Sequence, residues 1–237
     1  MQVTFLAHSG FLVELPSVTL LFDWWKGELP TLPEKPLLVF ASHEHNDHFN
    51  PHIFSLDDGR DVRFLLGSDI RLTAKNKELW GINDETAAKS TRMAPGETLE
   101  VLPGVTVETL QSTDEGVAFL ICADGQTIFH AGDLNWWHWE GEPDPWNPDM
   151  ARNFKAYAEP LRDRRIDLAM LPLDPRLGEA GFWGPKYFLE LADICRFLPM
   201  HQWKSFDLTE TFLQTYPQFR DRTVSITERG QTFSFDA

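Results

Sequence analysis

Three histidines and an aspartate lie within one short segment of the chain. They are His43, His45, Asp47 and His48, and they directly follow the apolar run Leu37–Ala41. Neutral imidazole and carboxylate groups are the ligands that Zn²⁺ and similar ions accept in proteins. In an extended segment, residues two apart point to the same side, so His43 and His45 can bind one ion. Asp47 and His48 then point elsewhere and could bind a second ion. The alternative interpretation is a polar, solvated surface loop.

Two later segments have the character needed to complete such a site. Asp133 follows a strand-like apolar run and a glycine, and His201 follows another apolar segment. A carboxylate can bridge two ions, and a histidine can complete the coordination of one of them. His130, at the end of the run that precedes Asp133, is expected to be structural, with a backbone partner.

The order of the predicted elements indicates an α/β protein built in layers. Short strands fill the first half of the chain, and helices and strands alternate in the second half, which favours sheets packed under helices. The predicted helices run from about residue 69 to Trp80, from Asn147 to about Arg165, from Gly184 to about Phe197, and from Asp207 to before Pro217. Nothing marks a domain boundary, so we predict a single domain over residues 1–237.

Composition narrows the range of partners. The 237 residues carry a net charge of −15, from 21 basic and 36 acidic residues, so a phosphate backbone would be repelled and nucleic acid is not expected. No apolar stretch approaches the ~20 residues that span a bilayer, and no membrane association is predicted. The first residues lack the basic segment of a secretion signal, so a cytoplasmic protein is expected. These features favour a small-molecule substrate, and they leave the oligomeric state open.

Taken in chain order, the motifs resemble those of the metallo-β-lactamase superfamily. The pattern is His43-x-His45-x-Asp47-His48, then Gly132-Asp133, then His201. This resemblance implies an α/β fold of the αββα sandwich type, with two mixed β-sheets flanked by helices and a two-metal site at one edge.

Two features near the N-terminus extend the resemblance. The segment from His8 to Phe11 (HSGF) is similar to a signature of the single-domain branch near the ascorbate-6-phosphate lactonase-like hydrolases. Asp23 ends an early strand, as in the first motif of the superfamily. The similarity covers the chain from Val3 to His201.

The resemblance also implies a role for each motif residue. His43 and His45 would bind the first metal, Asp47, His48 and His201 would bind the second, and Asp133 would bridge the two. Asp23 would orient a ligand through a hydrogen bond. The implied cofactors are two divalent ions, zinc in the first place, with manganese or iron as alternatives.

One departure concerns the first metal. The superfamily usually supplies a third histidine between the middle strands, but residues 110–116 (LQSTDEG) contain none. Asp114 is the best chemical substitute, and an oxygen donor there would favour harder ions such as Mn²⁺ or Fe²⁺. Otherwise the first site is incomplete and binds weakly, and Asp114 is simply a turn residue before Gly116.

Substrate contacts are predicted from residues near these motifs. Four consecutive rings, from Trp136 to Trp139, follow Asp133, and they cannot all face inward on a regular element. We therefore expect Trp137 and His138 to line the site, together with His8. Arg176 could bind a substrate carboxylate or phosphate through two hydrogen bonds, or it could form an internal salt bridge.

The leading hypothesis is a metal-dependent hydrolase. A metal-activated hydroxide would attack a small intracellular ester, lactone or phosphoester, with Asp47 holding the proton of the nucleophile or acting as a ligand. A redox enzyme is a second hypothesis, because flavodiiron proteins share the fold. Those proteins carry Glu where His45 stands, and no flavin-binding domain is present. The third hypothesis is a degenerate binding protein with an incomplete metal site and no hydrolytic activity.

Overall fold

A computed structural model describes residues 1–236. These residues form two compact units. The first unit comprises Met1–Ala94 together with the chain from Arg229 onward, and the second comprises Pro95–Glu228. Each unit contains one large mixed β-sheet. The prediction of a single domain over the whole chain stays a prediction.

The elements alternate along the chain as follows. The strands are β1 (Gln2–Ala7), β2 (Gly10–Glu14), β3 (Thr19–Phe22), β4 (Leu37–Ala41), β5 (Val62–Gly67), β6 (Ser90–Met93), β7 (Thr98–Leu102), β8 (Val105–Gln111), β9 (Val117–Ala123), β10 (Gln126–His130), β11 (Arg165–Ile166), β12 (Leu168–Pro172), β13 (Asp193–Ile194), β14 (Phe197–Met200) and β15 (Thr232–Ser234). The α-helices are α1 (Ala74–Trp80), α2 (Asp84–Ala88), α3 (Trp146–Ala158), α4 (Trp183–Leu191) and α5 (Leu208–Thr215). Within residues 1–236, no helix has the length and apolar character that crossing a membrane requires.

The first unit is built on a seven-stranded sheet in the order β15-β1-β2-β3-β4-β5-β6. Strands β3 to β6 run parallel to one another. Every residue of β4 is buried, as expected for an apolar run covered on both faces. On one face, side chains such as Val39 and Phe64 pack with Ile53 and Phe54 of the 3₁₀ segment Pro51–Leu56. The carboxyl ends of β3, β4 and β5 therefore meet at one edge of a well-packed sheet.

The second unit is built on a six-stranded sheet in the order β14-β12-β10-β9-β8-β7. Strands β10, β12 and β14 are parallel neighbours, whereas β7 to β10 are antiparallel. Phe188 of α4 packs against Phe129 of β10, with ring centroids 5.6 Å apart, and against Phe154 of α3 at 5.2 Å. These rings hold the helices on the sheet, and the three parallel strands again end at one edge.

Three predicted helices are too long. The helix predicted from about residue 69 begins only at Ala74, where Thr73 caps it by accepting from the Asn76 N–H. The helix predicted to reach Arg165 ends at Ala158, and Pro160 follows in a 3₁₀ turn. Proline lacks the backbone N–H that a helix interior requires, and its ring clashes with the preceding turn. The helix predicted to reach Phe197 ends at Leu191, because the following residues join β13 and β14.

Asp57 follows the 3₁₀ segment, and its side chain links this segment to α2 by hydrogen bonds. Its carboxylate accepts hydrogen bonds from Lys89 Nζ at 2.6 Å and from Thr86 Oγ1 at 2.7 Å. The hydrogen bond from Lys89 is the main cause that lowers the pKa of Asp57 below 3.8. The carboxylate therefore stabilises the fold fully above pH 3.8, and this contribution disappears as the pH falls through the lowered pKa.

We expect Asp57→Asn to lower the free energy of unfolding at pH 7 by about the contribution of one charge-assisted hydrogen bond. The difference from wild type should shrink below pH 3.8. Urea unfolding at pH 7 and at pH 3 measures both effects. An equal difference at the two pH values would show that the carboxylate charge contributes nothing.

Candidate functional site

The first unit places its polar motifs after three adjacent parallel strands. Asp23 follows β3, the segment from Ser42 to His48 follows β4, and Asp69 follows β5. Parallel strands present their carboxyl ends at the same edge, where ligand sites of α/β sheets commonly lie. We call His43, His45 and His48 the histidine cluster.

Asp23 fixes the orientation of His48. It is fully buried and has a φ of 41°, in the left-handed region that aspartate tolerates better than most residues. One carboxylate oxygen accepts from the Ser42 N–H at 2.8 Å, and the other lies 2.7 Å from both Ser42 Oγ and His48 Nδ1. This contact assigns the proton of His48 to Nδ1, so Nε2 is the atom that His48 would offer to a metal.

His43 and His45 present their ring nitrogens to one another. His43 Nδ1 lies 2.9 Å from Ser42 Oγ, and His43 Nε2 lies 3.0 Å from His45 Nδ1. Two nitrogens bound at ~2.0–2.1 Å to one tetrahedral ion would be about 3.3 Å apart. The donor atoms of this pair are therefore close to the spacing that a shared ion requires.

The backbone of the cluster is held by Asp69, which sequence reasoning did not identify. Its carboxylate accepts from the Glu44 N–H at 2.7 Å. Gly67, the last residue of β5, allows the close approach, because a Cβ there would lie well inside contact distance of the Ser42 carbonyl oxygen. The segment that carries the histidines thus depends on the absence of a side chain at position 67.

Gly67→Ala is expected to displace this segment. Overpacking of this kind costs about 1–3 kcal/mol of stability, and metal binding by the histidine cluster should weaken. Urea unfolding and zinc competition with a chromophoric chelator measure the two effects. Gly104→Ala is the matched control for a general loss of stability. The φ of +75° at Gly104 makes an alanine there strained, but its Cβ meets no atom within 4 Å, so no segment is displaced by contact. Equal zinc affinity in the two variants would contradict the role of Gly67.

His8 lies next to the histidine cluster. Its Nε2 is 3.3 Å from Asp47 Oδ2, and its ring is 5.7 Å from that of His48 and 6.4 Å from that of Trp25. The hydrogen bond from His8 is the main cause that holds the pKa of Asp47 well below its usual range. The structure therefore brings His8, a predicted substrate contact, together with Asp47, the predicted catalytic residue.

The second unit repeats this arrangement at its own sheet edge. Asp133 follows β10, Asp174 follows β12 and His201 follows β14, and these strands are parallel neighbours. His130 is buried, and its Nδ1 accepts from the Gly132 N–H at 3.1 Å, as expected for a structural residue. We call Asp133, Asp174 and His201 the aspartate cluster.

His201 lies between the two carboxylates of the aspartate cluster. Its Nε2 is 2.8 Å from Asp133 Oδ1, and its Nδ1 is 3.3 Å from Asp174 Oδ2. Burial alone would raise the pKa of Asp174, but hydrogen bonds from His201 and Arg176 outweigh it and lower the pKa to about 2. A charged Asp174 would hold a proton on Nδ1, so Nε2 is directed at Asp133 and at any cation that Asp133 binds.

Thr113 attaches the segment that contains Asp114 to the aspartate cluster. Its Oγ1 lies 3.1 Å from the carbonyl oxygen of Asp133 and 2.7 Å from that of Asn135, and it accepts from the Asn135 N–H at 3.0 Å. Carboxylate oxygens of Asp114 and Asp133 lie within 4.8 Å of one another. The residue predicted to replace the missing histidine is thus beside the predicted bridging aspartate.

The predicted substrate residues of the second unit have different surroundings. Trp137 is buried, donates from Nε1 to the Asp133 carbonyl at 2.9 Å, and lies 5.7 Å from the ring of His201. His138 packs its ring against Trp183 at 4.8 Å. Arg176 forms an ion pair with Asp174 at 2.6 Å, which is the internal salt bridge considered as its alternative role.

Comparison with known proteins defines the class. Residues 2–138, more than half of the chain, match the β-lactamase superfamily domain family, and the chain belongs to this family. A metal-dependent hydrolase of Pyrobaculum neutrophilum is 29% identical over 223 residues, which are 85% of this chain and 84% of the relative. A metal-dependent hydrolase of Opitutus terrae is 29% identical over 157 residues, which cover 56% of this chain and 63% of that relative.

A solved structure shows the same fold. Igni18, a metallo hydrolase from Ignicoccus hospitalis, superposes with a TM-score of 0.63 at 19% identity, and 99% of each chain is covered. The predicted family, the predicted class of two mixed sheets with flanking helices, and the predicted metal-dependent hydrolase are confirmed at this level. The roles of individual site residues stay predictions.

Proposed function

We propose that the chain hydrolyses a small ester, lactone or phosphoester with two divalent metal ions. The contact between His201 Nε2 and Asp133 Oδ1 at 2.8 Å is the observation that supports this most strongly. A buried imidazole nitrogen and a carboxylate at this distance need a proton or a cation between them. The second carboxylate nearby, from Asp114, adds negative charge that favours a cation.

The donor atoms fit divalent metal ions in their chemistry. The residues that could hold a metal supply imidazole nitrogens, from His8, His43, His45, His48 and His201, and carboxylate oxygens, from Asp114 and Asp133. His48 and His201 each direct Nδ1 at a carboxylate, the arrangement that commonly fixes a metal-bound histidine. The proposed ligands are His43, His45 and Asp114 for the first ion, Asp47, His48 and His201 for the second, and Asp133 for both.

With Asp114, the ligand set proposed for the first ion contains more oxygen donors than the usual set of three histidines. Zinc is the first choice for the second ion, whereas manganese or iron can compete at the first. The chemistry that such ions would supply is a bound water with its pKa lowered toward ~7 and a polarised substrate oxygen.

The remaining residues would position the reactants. Asp47, which is held by His8 at 3.3 Å, would accept the proton of the nucleophile or bind an ion. Trp137 presents a buried aromatic face next to His201 and would exclude water from the substrate. His8 and His138 are the polar groups proposed to contact the substrate. The net charge of −15 makes nucleic acid a poor substrate.

Removal and return of metal tests the proposal. The protein is dialysed against a chelator, and hydrolysis of ester, lactone and phosphodiester substrates is measured before and after addition of Zn²⁺ or Mn²⁺. We expect activity toward one class to disappear with the metal and to return when about two ions per chain are bound. Full activity without metal would contradict the mechanism. No activity with one ion or none would favour the binding protein, and oxygen consumption with di-iron absorbance would favour a redox enzyme.

A further inference from the structure

Arg176 is bound to Asp174 through several hydrogen bonds. Its Nε lies 2.9 and 3.0 Å from the two carboxylate oxygens, and its Nη2 lies 2.6 Å from Oδ2. The backbone N–H of the same residue donates to Oδ1 at 2.9 Å. A planar guanidinium that makes two parallel contacts fixes the plane of the carboxylate as well as its charge. Asp174 is completely buried, so it depends on these donors.

Two indole rings hold the guanidinium in place. The Arg176 Cζ lies 5.5 Å from the ring centroid of Trp139 and 5.0 Å from that of Trp203. Trp203 Nε1 also lies 3.5 Å from Asp174 Oδ2. Cation–π contacts of this kind restrict the guanidinium to one plane. Arg176 therefore has a defined orientation toward Asp174.

The two carboxylate–histidine pairs differ in their support. Asp23 is oriented toward His48 by the backbone and hydroxyl of Ser42, which are neutral groups. Asp174 is oriented toward His201 by a cation. A cation bound through paired hydrogen bonds holds the carboxylate in one plane, so that Nδ1 of His201 faces an acceptor of fixed orientation.

We infer that Arg176 is a positioning residue that acts through Asp174 on His201, and that it sets the metal affinity of that histidine. This inference rests on the proposed function. It assigns Arg176 to the support of a ligand instead of to direct recognition of a substrate anion. Loss of the guanidinium would let the Asp174 carboxylate rotate away from Nδ1, and His201 would lose its fixed orientation.

Zinc titration of four proteins tests the inference. They are wild type, Arg176→Met, Asp174→Asn and the double variant, each studied in competition with a chromophoric chelator. Of the two zinc ions, we expect each single variant to bind the more weakly held one about 10–100-fold less tightly than wild type does. This is the usual effect of losing a group that supports a ligand. Because Arg176 acts through Asp174, the double variant should lose no more than the single variants.

Two further variants distinguish a lost orientation of His201 from a general loss of stability. Arg220→Met removes an exposed arginine that pairs with Glu210 at 2.9 Å, and it should leave zinc affinity unchanged. Arg176→Lys keeps the charge without the paired hydrogen bonds, and it should recover only part of the affinity. Thermal unfolding of the metal-free proteins shows which variants are folded.

The outcomes distinguish the inference from the proposed function. Wild type that binds no zinc contradicts the proposed function. Wild type that binds two ions while folded Arg176→Met binds them equally well contradicts only the inference. Additive losses in the double variant also contradict it. A KM raised at least tenfold in Arg176→Met with unchanged zinc affinity would instead assign Arg176 to substrate binding.

Discussion

Asp133→Ala is expected to abolish hydrolysis and to lower the metal content from about two ions per chain to one or none. Asp133 is the carboxylate proposed to bind both ions, and its Oδ1 is already directed at His201 Nε2. Loss of a bridging ligand removes the stabilisation that two ions give to the transition state, so the rate should fall roughly a thousandfold or more. Metal analysis and initial rates measure the two effects.

Asp149→Ala is the control for this variant. Asp149 lies in the first turn of α3 and pairs with Arg152 at 2.7 Å. Loss of such an exposed pair should change stability by less than about 1 kcal/mol and leave metal content and rate unchanged. An Asp133→Ala protein that keeps both ions and at least a tenth of the wild-type rate would show that Asp133 does not bridge.

Asp23→Asn is expected to weaken metal binding about 10–100-fold while keeping the side-chain volume. An asparagine offers one acceptor oxygen where the carboxylate offers two, so it cannot accept from the Ser42 N–H on one side and serve Ser42 Oγ and His48 Nδ1 on the other, as Asp23 does. His48 would also lose the negative charge that keeps its proton on Nδ1. Zinc competition measures the affinity, and ¹⁵N spectra of the histidine rings report the tautomer of metal-free His48.

Asp23→Ala should also destabilise the fold. The buried N–H and hydroxyl of Ser42 would lose their partner, which costs about 1–3 kcal/mol for each buried polar group. Urea unfolding compares the two Asp23 variants. If Asp23→Asn binds zinc with wild-type affinity and keeps the Nδ1 tautomer, Asp23 does not orient a ligand.

The sequence predicted the segments whose signal is local. His43, His45, Asp47 and His48 form a dense motif after an apolar run, and β4 has the bounds of that run. The turn at Gly81 ends α1 in the left-handed conformation that a glycine after a helix indicates.

The supporting residues were not predictable in the same way. Asp69, Thr113 and Asp174 have no motif of their own, and each acts because a particular strand neighbours another. Asp174 follows β12, and its role depends on the pairing of β12 with β14, which ends before His201. Strand order is a property of the whole sheet, so it is not readable from either segment alone. Position two residues after the end of an apolar strand is the signal that could have identified Asp69 and Asp174.

The short and polar elements were missed for a related reason. Strand β6 is polar and mostly exposed, and it pairs only with β5 at the end of the sheet. Such a strand lacks the alternating apolar pattern by which strands are recognised. Strand β13 and the first residue of β14 were assigned to a helix because Leu189, Ile194 and Phe197 are compatible with a helical apolar face as well as with strands.

Anomalous diffraction from crystals soaked with Zn²⁺ tests the central claim most directly. We expect two peaks, one bound by His43 and His45 and the other by His48 and His201, with Asp133 in contact with both. A single peak, or peaks bound by residues of only one unit, would contradict it.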